Sequence, residues 1–355
     1  MTESQIGQNR DSVTEVKRLR EPELCGRMQC CQQKLSRVLE KKESTMSFTR
    51  SFFLTLSRSK RMNEVATHFG PAKAMAHRFV AGETLKEAIA AVQRLNEQSL
   101  LGTLDHLGEN VSSEVQARAA AGEVLELLNA IATRDIQSGV SIKLTQMGLD
   151  MSPALATENV ERIVTRAAEA GRFVRIDMES FDYVQPTLNL FETLWARYKN
   201  VGLVIQSYLY RSVDDVAHLV EMGASVRLVK GAYDESPEVA YPRKADTDAN
   251  FIRLAKVLLG DEARSNGVFP AIATHDSRLI DWTKAHVRRQ GIPLDQFEFQ
   301  MLYGIRSRLQ RQLVAEGYRV RTYVPYGNQW YPYFMRRLAE RPANVFFLLR
   351  NLLRT

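Results

Sequence analysis

From residue 100 onward, short apolar runs alternate along the chain with longer segments whose apolar residues recur at helical spacing. Each short run ends in polar residues and predicts a β-strand. The predicted strands cover residues 100–107, 140–145, 173–178, 202–207, 225–229, 270–274, 297–302 and 319–324. The connecting segments, such as 153–170 and 213–222, have the period and length of helices. This alternation indicates an α/β fold with a parallel sheet.

Eight strand–helix units in succession predict a (β/α)8 TIM-like barrel, in which the parallel sheet closes on itself. A doubly wound open sheet is the alternative. No Gly-x-Gly-x-x-Gly segment follows any predicted strand, and this disfavours the dinucleotide site typical of the open sheet. Because the catalytic groups of (β/α)8 barrels lie at the C-terminal ends of the strands, we expect the chemistry of this chain there.

The chain before the barrel divides by composition into two regions. Residues 1–45 are polar and mixed in charge without an amphipathic repeat, which predicts a disordered or weakly helical extension. Residues 46–97 predict a helical arm, with Gly82-Glu83-Thr84 as a break and a helix cap, and residues 98–355 the barrel domain. Since the segment that follows Met46 resembles a natural beginning, we expect translation to start there and residues 1–45 to be a mis-assigned start.

The segment after Met46 is rich in Ser and Arg, lacks acidic residues, and carries Phe and Leu at helical spacing over residues 48–56. A transit peptide has this composition, and so does a helix that lies on a membrane surface. A helix packed on the body of the protein is the more ordinary explanation of the same pattern.

Composition narrows the choice of partners and compartment. The net charge of +7 is spread along 355 residues, which suits anionic ligands or an anionic membrane surface. Nucleic acid is not an expected partner, because no binding motif is present and the arginines are not gathered with aromatics on one segment. No apolar run approaches the roughly 18 residues of a membrane-spanning helix. The three cysteines, Cys25, Cys30 and Cys31, lack zinc-site spacing and precede the main body, which fits a reducing compartment.

A polar residue stands at the C-terminal end of each predicted strand. In strand order these are Glu109, Lys143, Asp177, Gln206, Arg227 with Lys230, His275, Gln300 and Tyr323. Each alone is consistent with a satisfied buried group or a solvated loop residue, but together on one rim they predict a polar pocket. An alternative role for Lys143 is to form a Schiff base with a carbonyl substrate. His275 is a candidate core histidine or metal ligand, yet no second His or Cys has ligand spacing, so no metal is expected.

The last predicted strand leads into an aromatic and basic helix. Pro325 and Gly327 are expected to end the strand. Pro332 is expected in the first turn of the helix, where its missing N–H costs little.

The residues of that helix share a face. Tyr333, Arg336 and Glu340 project from about the same side, with Arg337 beside them. Two adjacent arginines at the mouth of a strand can hold a carboxylate through paired, charge-assisted hydrogen bonds, and tyrosines add flat walls. The arrangement indicates a pocket for a small amino acid. An amphipathic helix with a solvated Arg–Arg pair is the alternative.

The same segments resemble a known family. A tyrosine at a strand end followed by Tyr-x-x-Arg-Arg-x-x-x-Glu, here Tyr323 and then residues 333–340, is similar to the C-terminal signature of the proline dehydrogenases, the flavoenzymes of proline catabolism. Further blocks in family order are Leu107-Gly108-Glu109, Arg227-Leu228-Val229-Lys230-Gly231-Ala232-Tyr233, Ala273-Thr274-His275 and residues 297–304. The resemblance covers residues 100–342 and implies the single-activity form, without a fused aldehyde dehydrogenase.

The resemblance implies a binding site for L-proline. The residues implied for its carboxylate are Arg336, Arg337 and Lys143. Asp177 would lie beside the substrate, and Glu109 would pair with one of the two arginines to close the pocket. The pyrrolidine ring would be enclosed by Leu302, Ala232, Tyr323 and Tyr333. Since the family branch that prefers hydroxyproline has a smaller residue in place of Tyr323, proline is favoured here.

The resemblance also implies FAD as the cofactor. Arg227 would lie near N5 of the isoalloxazine, where its charge favours the reduced flavin, and Gln206 would bond the pyrimidine edge. The other implied cofactor-binding residues are Val229, Lys230, Gly231, Tyr233, Thr247, Thr274, His275 and Glu340. We expect glycine at position 231 because the backbone would pass close to the cofactor there.

The implied reaction is the oxidation of L-proline to Δ1-pyrroline-5-carboxylate by hydride transfer from C5 to flavin N5, the first step of proline catabolism to glutamate. Electrons would pass to a quinone, so we expect transient membrane contact, with residues 48–56 and 345–353 as candidate surfaces. The expected location is the cytoplasm or the inner face of the membrane, with the mitochondrion as the alternative in a eukaryote. Two other classes stay open: a Schiff-base enzyme built on Lys143 or Lys230, and a binding protein without a chromophore.

Overall fold

The computed structural model describes residues 73, 75–108 and 111–340, with the backbone alone at residues 339 and 340. Its strands are β1 (Leu101–His106), β2 (Ser138–Ile142), β3 (Val174–Ile176), β4 (Val201–Gln206), β5 (Ser225–Val229), β6 (Pro270–Ala273), β7 (Glu298–Leu302) and β8 (Val320–Tyr326). All neighbours are parallel and follow sequence order, and β8 pairs with β1 to close the sheet. The predicted (β/α)8 barrel is confirmed.

Helices follow every strand of the barrel. After α1 (Leu85–Asn96), which precedes β1, they are α2 (Glu114–Thr133), α3 (Pro153–Glu169), α4 (Val184–Trp195), α5 (Ser212–Glu221), α6 (Lys244–Leu258), α7 (Asp261–Ser265), α8 (Ser277–Gln290), α9 (Ser307–Ala315) and α10 (Trp330–Glu340). A short 3-10 helix, Phe181–Tyr183, precedes α4, and β5 is followed by both α6 and α7.

Local sequence explains where these helices begin. The Thr84 hydroxyl accepts the backbone N–H of Glu87 and the Glu87 carboxylate accepts the N–H of Thr84, which confirms the predicted cap of α1. The Ser152 hydroxyl caps α3 by accepting the N–H of Leu155, and Pro153 takes the first helical position, where no N–H is needed. These caps fix where the connecting helices start and therefore how the strand ends are held.

The two faces of the barrel strands differ in composition. Outward-facing residues such as Val140 and Ile142 are apolar and buried against the helices. The interior carries charged residues that are also buried: Asp105 is 1% exposed, Arg175 4%, Arg227 5% and Glu298 2%. Because an unpaired buried charge is costly, each of them requires a partner, and these partners define the site.

The largest shift of a predicted strand is at β2, which covers Ser138–Ile142 instead of 140–145. The chain turns immediately afterwards, because the carbonyls of Lys143 and Thr145 accept turn hydrogen bonds from Met147 and Gly148. These turn bonds replace the predicted last residues of the strand.

The prediction that Pro325 ends the last strand is wrong. Strand β8 continues to Tyr326, and Pro325 lies opposite Asp105 of β1. Pairing with β7 stops at Tyr323, so the missing N–H of Pro325 faces the side where no ladder partner is required. The carbonyl on that side accepts the N–H of Ala81 at 2.8 Å. Pro332 lies in the first turn of α10, as predicted.

The chain divides into two compact units, and the barrel belongs to the unit Ala66–Phe334. The described residues after Phe334, including Arg336 and Arg337, are assigned to the other unit. In the part of the chain that the structure describes, no helix combines the length and apolar character needed to cross a bilayer. The predicted extension 1–45, the first part of the arm and the two candidate membrane surfaces lie outside the described residues.

Candidate active site

An ion pair between β1 and the end of β2 lies at the C-terminal side of the barrel. Nζ of Lys143 is 3.1 Å from Oδ1 and 3.0 Å from Oδ2 of Asp105. The side chains are 9% and 1% exposed, so the pair is shielded from water. A lysine ammonium in such a pair is suited to bind an anion, whereas Schiff-base chemistry requires the free amine.

Asp177, which directly follows β3, joins two other predicted residues, Arg227 within β5 and Tyr323 within β8. Its Oδ1 accepts from Nη1 of Arg227 at 2.6 Å, and its Oδ2 accepts from the hydroxyl of Tyr323 at 2.8 Å. The Arg227 guanidinium also lies over the Tyr323 ring, 5.4 Å from its centroid. The structure thus brings together residues from β3, β5 and β8, as the topology of the strand ends predicts.

The Arg227 guanidinium is held on three sides. Its Nε donates to Oε1 of Gln300 at 2.5 Å, its Nη2 donates to Oγ of Ser141 at 3.1 Å, and its Nη1 binds Asp177. A planar guanidinium bound at all three nitrogens has a fixed rotation as well as a fixed position. The arginine is therefore a preorganised positive charge.

Tyr323 is a hydrogen-bond donor in this cluster. Burial raises the pKa of its phenol, and the negative charges of Asp105 and Asp177 raise the pKa further. The phenol therefore keeps its proton for the bond to Asp177.

The hydrogen bonds of Gln206, at the end of β4, indicate whether the site fits a flavin. Its Nε2 donates to the carbonyl of Glu179 at 3.1 Å, and the Glu179 carboxylate is itself fixed by the N–H and hydroxyl of Thr145. The Oε1 of Gln206 is buried and has no hydrogen-bond partner among the described residues. A buried carbonyl oxygen requires an N–H donor, and the pyrimidine edge of an isoalloxazine presents one at N3. The residue fits the predicted group.

Lys230 lies in a cluster of opposite charges beyond β5. Its Nζ is 2.5 Å from Oδ1 of Asp248 and 3.0 Å from Oδ2 of Asp276, and Lys244 and Arg278 also contact these carboxylates. Burial opposes the charged form of Asp276, but hydrogen bonds from Arg278 and Lys230 outweigh burial and hold the pKa of its carboxyl well below the ordinary value. Three cations around two carboxylates leave a net positive charge, which suits a phosphate-bearing ligand.

Two predicted threonines lie beside this charge cluster. Thr247, next to Asp248 on α6, is 8% exposed, and its carbonyl accepts from the hydroxyl of Ser207. Thr274, at the end of β6, is 7% exposed, and its hydroxyl accepts the N–H of Asp276 at 3.1 Å. Both therefore belong to the same side of the rim as Lys230.

The structure gives a reason for glycine at position 231 that sequence analysis did not give. Its φ is +107°, and a Cβ there would lie 2.2 Å from the ring of Tyr208. Glycine is therefore required by the backbone conformation and by Tyr208, independently of any cofactor. Tyr208 in turn donates to Glu235, which also accepts the N–H of Phe181.

His275 contacts the predicted wall of the ring pocket. The backbone N–H of Leu302 donates to its Nε2 at 2.9 Å, which places the ring proton on Nδ1 of the neutral imidazole. With Nε2 occupied by this bond, a metal ligand role through that nitrogen is disfavoured. Val229 ends β5, and Ala232 and Tyr233 lie in the exposed loop that follows.

The remaining predicted residues lie on α10 or outside the described chain. Tyr333 is 5% exposed, and Arg336 and Arg337 follow it on the same helix at the spacing that predicts a shared face. The side chain of Glu340 and the whole of Glu109 lie outside the described residues. The roles given to these residues remain predictions.

Sequence analysis missed several residues of the site. Asp105 and Ser141 lie inside strands and Glu298 begins β7, so the search for polar groups at C-terminal strand ends did not reach them. For Asp105 the signal was available, because alternate residues of a barrel strand face the interior, and a charged residue inside an apolar strand marks that face.

Several known proteins are similar to this chain in sequence. The Proline dehydrogenase family model matches residues 88–350. Proline dehydrogenase 1 of Bacillus subtilis subsp. natto is 43% identical over 305 residues, which cover 86% of this chain and 99% of that protein. Proline dehydrogenase of Deinococcus radiodurans is 46% identical over 285 residues, 79% of this chain and 90% of that protein.

The fold has a solved counterpart as well. The crystal structure of proline utilization A from Bdellovibrio bacteriovorus, inactivated by N-propargylglycine, is similar with a TM-score of 0.72 and 30% sequence identity. The match covers 84% of this chain and 37% of that one, so this chain is similar to one part of that longer protein.

Proposed function

Since the chain belongs to the proline dehydrogenase family and is an enzyme that oxidises proline, we propose that it is an FAD enzyme that converts L-proline to Δ1-pyrroline-5-carboxylate. The proposal rests on two residues of the neighbouring strands β4 and β5. The Arg227 guanidinium is bound at three nitrogens, and the amide oxygen of Gln206 is buried without a partner among the described residues. A flavin would supply the N–H for Gln206, and Arg227 would provide a positive charge for the reduced ring.

Bound FAD would supply the hydride acceptor, its N5 taking hydride from C5 of proline. Arg227 would contribute a fixed positive charge that favours the increase in electron density on the flavin. Since three hydrogen bonds already hold the guanidinium, no reorganisation is required at the moment of reaction. Gln206 would fix the orientation of the ring through its pyrimidine edge.

The substrate carboxylate would be bound by Lys143, Arg336 and Arg337. The ammonium of Lys143 is held by both carboxylate oxygens of Asp105. Cations around the carboxylate also disfavour a positive charge on the adjacent amine, so proline would bind with its nitrogen neutral. The neutral lone pair is needed to expel hydride from C5.

The ring of proline would be enclosed by Leu302, Ala232, Tyr323 and Tyr333. The bond from Tyr323 to Asp177 keeps the phenol in one orientation, so that its ring forms a fixed wall. Glu109 would close the pocket by pairing with one of the two arginines. Fixing the ring at one distance from the cofactor supplies much of the rate acceleration.

The remaining cofactor contacts would come from residues on β5, β6, α6 and α10. Lys230 would approach the pyrophosphate, and the other members of the set are Val229, Gly231, Tyr233, Thr247, Thr274, His275 and Glu340. Binding the pyrophosphate requires Lys230 to share its ammonium between Asp248, Asp276 and the phosphates.

The electrons would pass from the reduced cofactor to a quinone, which requires at least transient contact with a membrane. The enzyme would work in the cytoplasm or on the inner face of the membrane. The direct test of the cofactor is to denature the purified protein and identify what it releases. FAD in about a 1:1 ratio to protein is the expected result, and a protein that neither carries nor takes up flavin would exclude the proposal.

A further inference from the structure

A continuous chain of side-chain hydrogen bonds crosses the interior of the barrel below the site. Arg321 of β8 donates from Nε to Oε1 of Glu298 at 2.7 Å and from Nη2 to Oε2 at 3.1 Å. Gln300 donates from Nε2 to the same Oε1 at 2.5 Å and accepts the Nε–H of Arg227. We call Arg321, Glu298 and Gln300 the barrel relay, since they connect the base of the barrel to Arg227.

The relay admits one orientation of the Gln300 amide. A guanidinium can only donate and a carboxylate can only accept, so the amide oxygen must face Arg227 and the amide nitrogen must face Glu298. Glu298 thus determines which way Gln300 points, although Glu298 makes no hydrogen bond to Arg227 itself.

The base of the relay is anchored and charged. Nη1 of Arg321 donates to the carbonyl of Gly102 on β1 at 2.8 Å, so the arginine is fixed to the backbone on the other side of the β8 strand. Burial disfavours the charged form of Glu298, but the charge and hydrogen bonds of Arg321, the bond from Gln300 and the charge of Arg175 together lower the pKa of its carboxyl. Glu298 is therefore a carboxylate at neutral pH, as the relay requires.

Without Gln300, the Arg227 guanidinium would keep its two terminal nitrogens bound but lose the constraint at Nε. Those terminal bonds go to Asp177 and Ser141, which lie toward the opposite side of the barrel from β7. Gln300 is the contact that holds the arginine from the β7 side. The position of the charge across the barrel therefore depends on both sets of bonds.

We propose that Glu298 and Arg321 are positioning residues for the reaction: through Gln300 they hold the Arg227 guanidinium at the place where it stabilises the reduced cofactor. This inference rests on the proposed function, in which Arg227 lies near flavin N5. Neither residue touches substrate or cofactor in that arrangement. Their effect on the reaction passes entirely through the orientation of one amide.

The test is the midpoint potential of the bound flavin in Glu298→Leu. A glutamine oxygen at the position of Oε1 could still accept from both Arg321 and Gln300, whereas leucine removes every acceptor, so the relay is broken and Arg227 loses its constraint at Nε. A displaced Arg227 stabilises reduced flavin less, and the potential falls. The loss of a negative charge, acting alone, would raise the potential. The sign of the shift therefore separates positioning from a simple charge effect.

The same variant should lower kcat while leaving the KM for proline nearly unchanged. We expect the rate of flavin reduction at saturating proline to fall about tenfold to a hundredfold, since small displacements of a catalytic group have effects of this size. The KM for proline should stay within about threefold, because the carboxylate contacts do not involve the relay. Gln300→Leu removes the same link without changing any charge and should lower the potential too, so this variant provides the test if Glu298→Leu does not fold.

Ser225→Ala is the matched control. Ser225 is buried at the base of β5 and accepts from Arg175 at 3.1 Å, so its loss disturbs the barrel base but leaves the relay intact. Its potential and rate should remain those of the wild type. A raised or unchanged potential in both relay variants, or an equal fall in Ser225→Ala, would overturn the proposal. A wild-type protein that binds no flavin, or whose flavin proline does not reduce, would instead count against the proposed function.

Discussion

The hydroxyl of Tyr323 donates a hydrogen bond to Oδ2 of Asp177 at a distance of 2.8 Å. Because the other oxygen of Asp177 binds Arg227, a single carboxylate connects the wall of the proposed proline pocket with the residue proposed to face the flavin. The proton of Tyr323 is thus part of the site, and its loss would leave two negative charges facing each other.

Tyr323 should therefore set no upper pH limit on activity in the ordinary range. Burial and the charges of Asp105 and Asp177 raise the pKa of its phenol above the ordinary value of about 10. We expect kcat/KM for proline to rise with pH as the substrate amine loses its proton, without a fall below about pH 10. The measurement is a pH profile of wild type and Tyr323→Phe; a fall that is present in wild type and absent from the variant would contradict this account.

Arg337→Met tests the carboxylate clamp. Removing one charge-assisted bond to the substrate should raise the KM for proline roughly tenfold to a hundredfold, while flavin content stays that of the wild type. Arg289→Met removes an exposed arginine at the end of α8 and serves as the control, with no expected change in KM. Steady-state kinetics measures the KM for proline in both variants. An unchanged KM in Arg337→Met would show that the carboxylate is bound elsewhere.

Lys143→Met should destabilise the fold as well as weaken proline binding. Asp105 is 1% exposed, and loss of its ammonium partner leaves a buried charge, at a cost of about 3–5 kcal/mol. The double variant Lys143→Met with Asp105→Leu should recover most of this stability, but not the affinity for proline. Denaturant unfolding with proline titration measures both effects. Equal stability of the single and double variants would argue against the buried pair.

Asp276 should stabilise the folded protein at neutral pH, and this contribution should be lost in acid. Hydrogen bonds from Arg278 and Lys230 outweigh burial and hold the pKa of its carboxyl below the ordinary value of about 4. A group with a lowered folded pKa stabilises the protein fully above that ordinary value, and the contribution is lost as the pH falls through the folded pKa. The unfolding free energy of Asp276→Asn should therefore depend less on pH below about pH 5 than that of the wild type.

The control for this experiment is Asp281→Asn, which changes an exposed aspartate on the same helix, α8. Unfolding by denaturant at several acid pH values should give this control the same slope as the wild type. A wild-type slope in Asp276→Asn as well would mean that the charge cluster around Lys230 makes no net contribution.

The barrel was predictable because its signal is carried by many residues at once. Parallel strands covered by helices are continuous apolar runs, and eight of them with helical connections leave few alternative topologies. The topology then placed Lys143, Asp177, Arg227 and Tyr323 on one rim, and the contacts among Asp177, Arg227 and Tyr323 follow that expectation.

Contacts that depend on the interior of the barrel were not predictable in the same way. Glu298 and Arg321 lie at the beginning of their strands, where a charged residue in sequence looks like a solvated strand edge. Their bond requires that both side chains turn inward, which strand register decides. For Gly231, the sequence suggested close approach of a cofactor, whereas the structure adds a positive φ and the ring of Tyr208.

The central claim is that this proline dehydrogenase family member carries a flavin that proline reduces. The most direct test is the visible absorption spectrum of the purified protein, recorded before and after L-proline is added without oxygen. The account predicts a yellow protein whose flavin absorbance is lost on addition of proline and returns when a quinone is supplied. A colourless protein that takes up no FAD after refolding, or a flavin band that proline leaves unchanged, would contradict it.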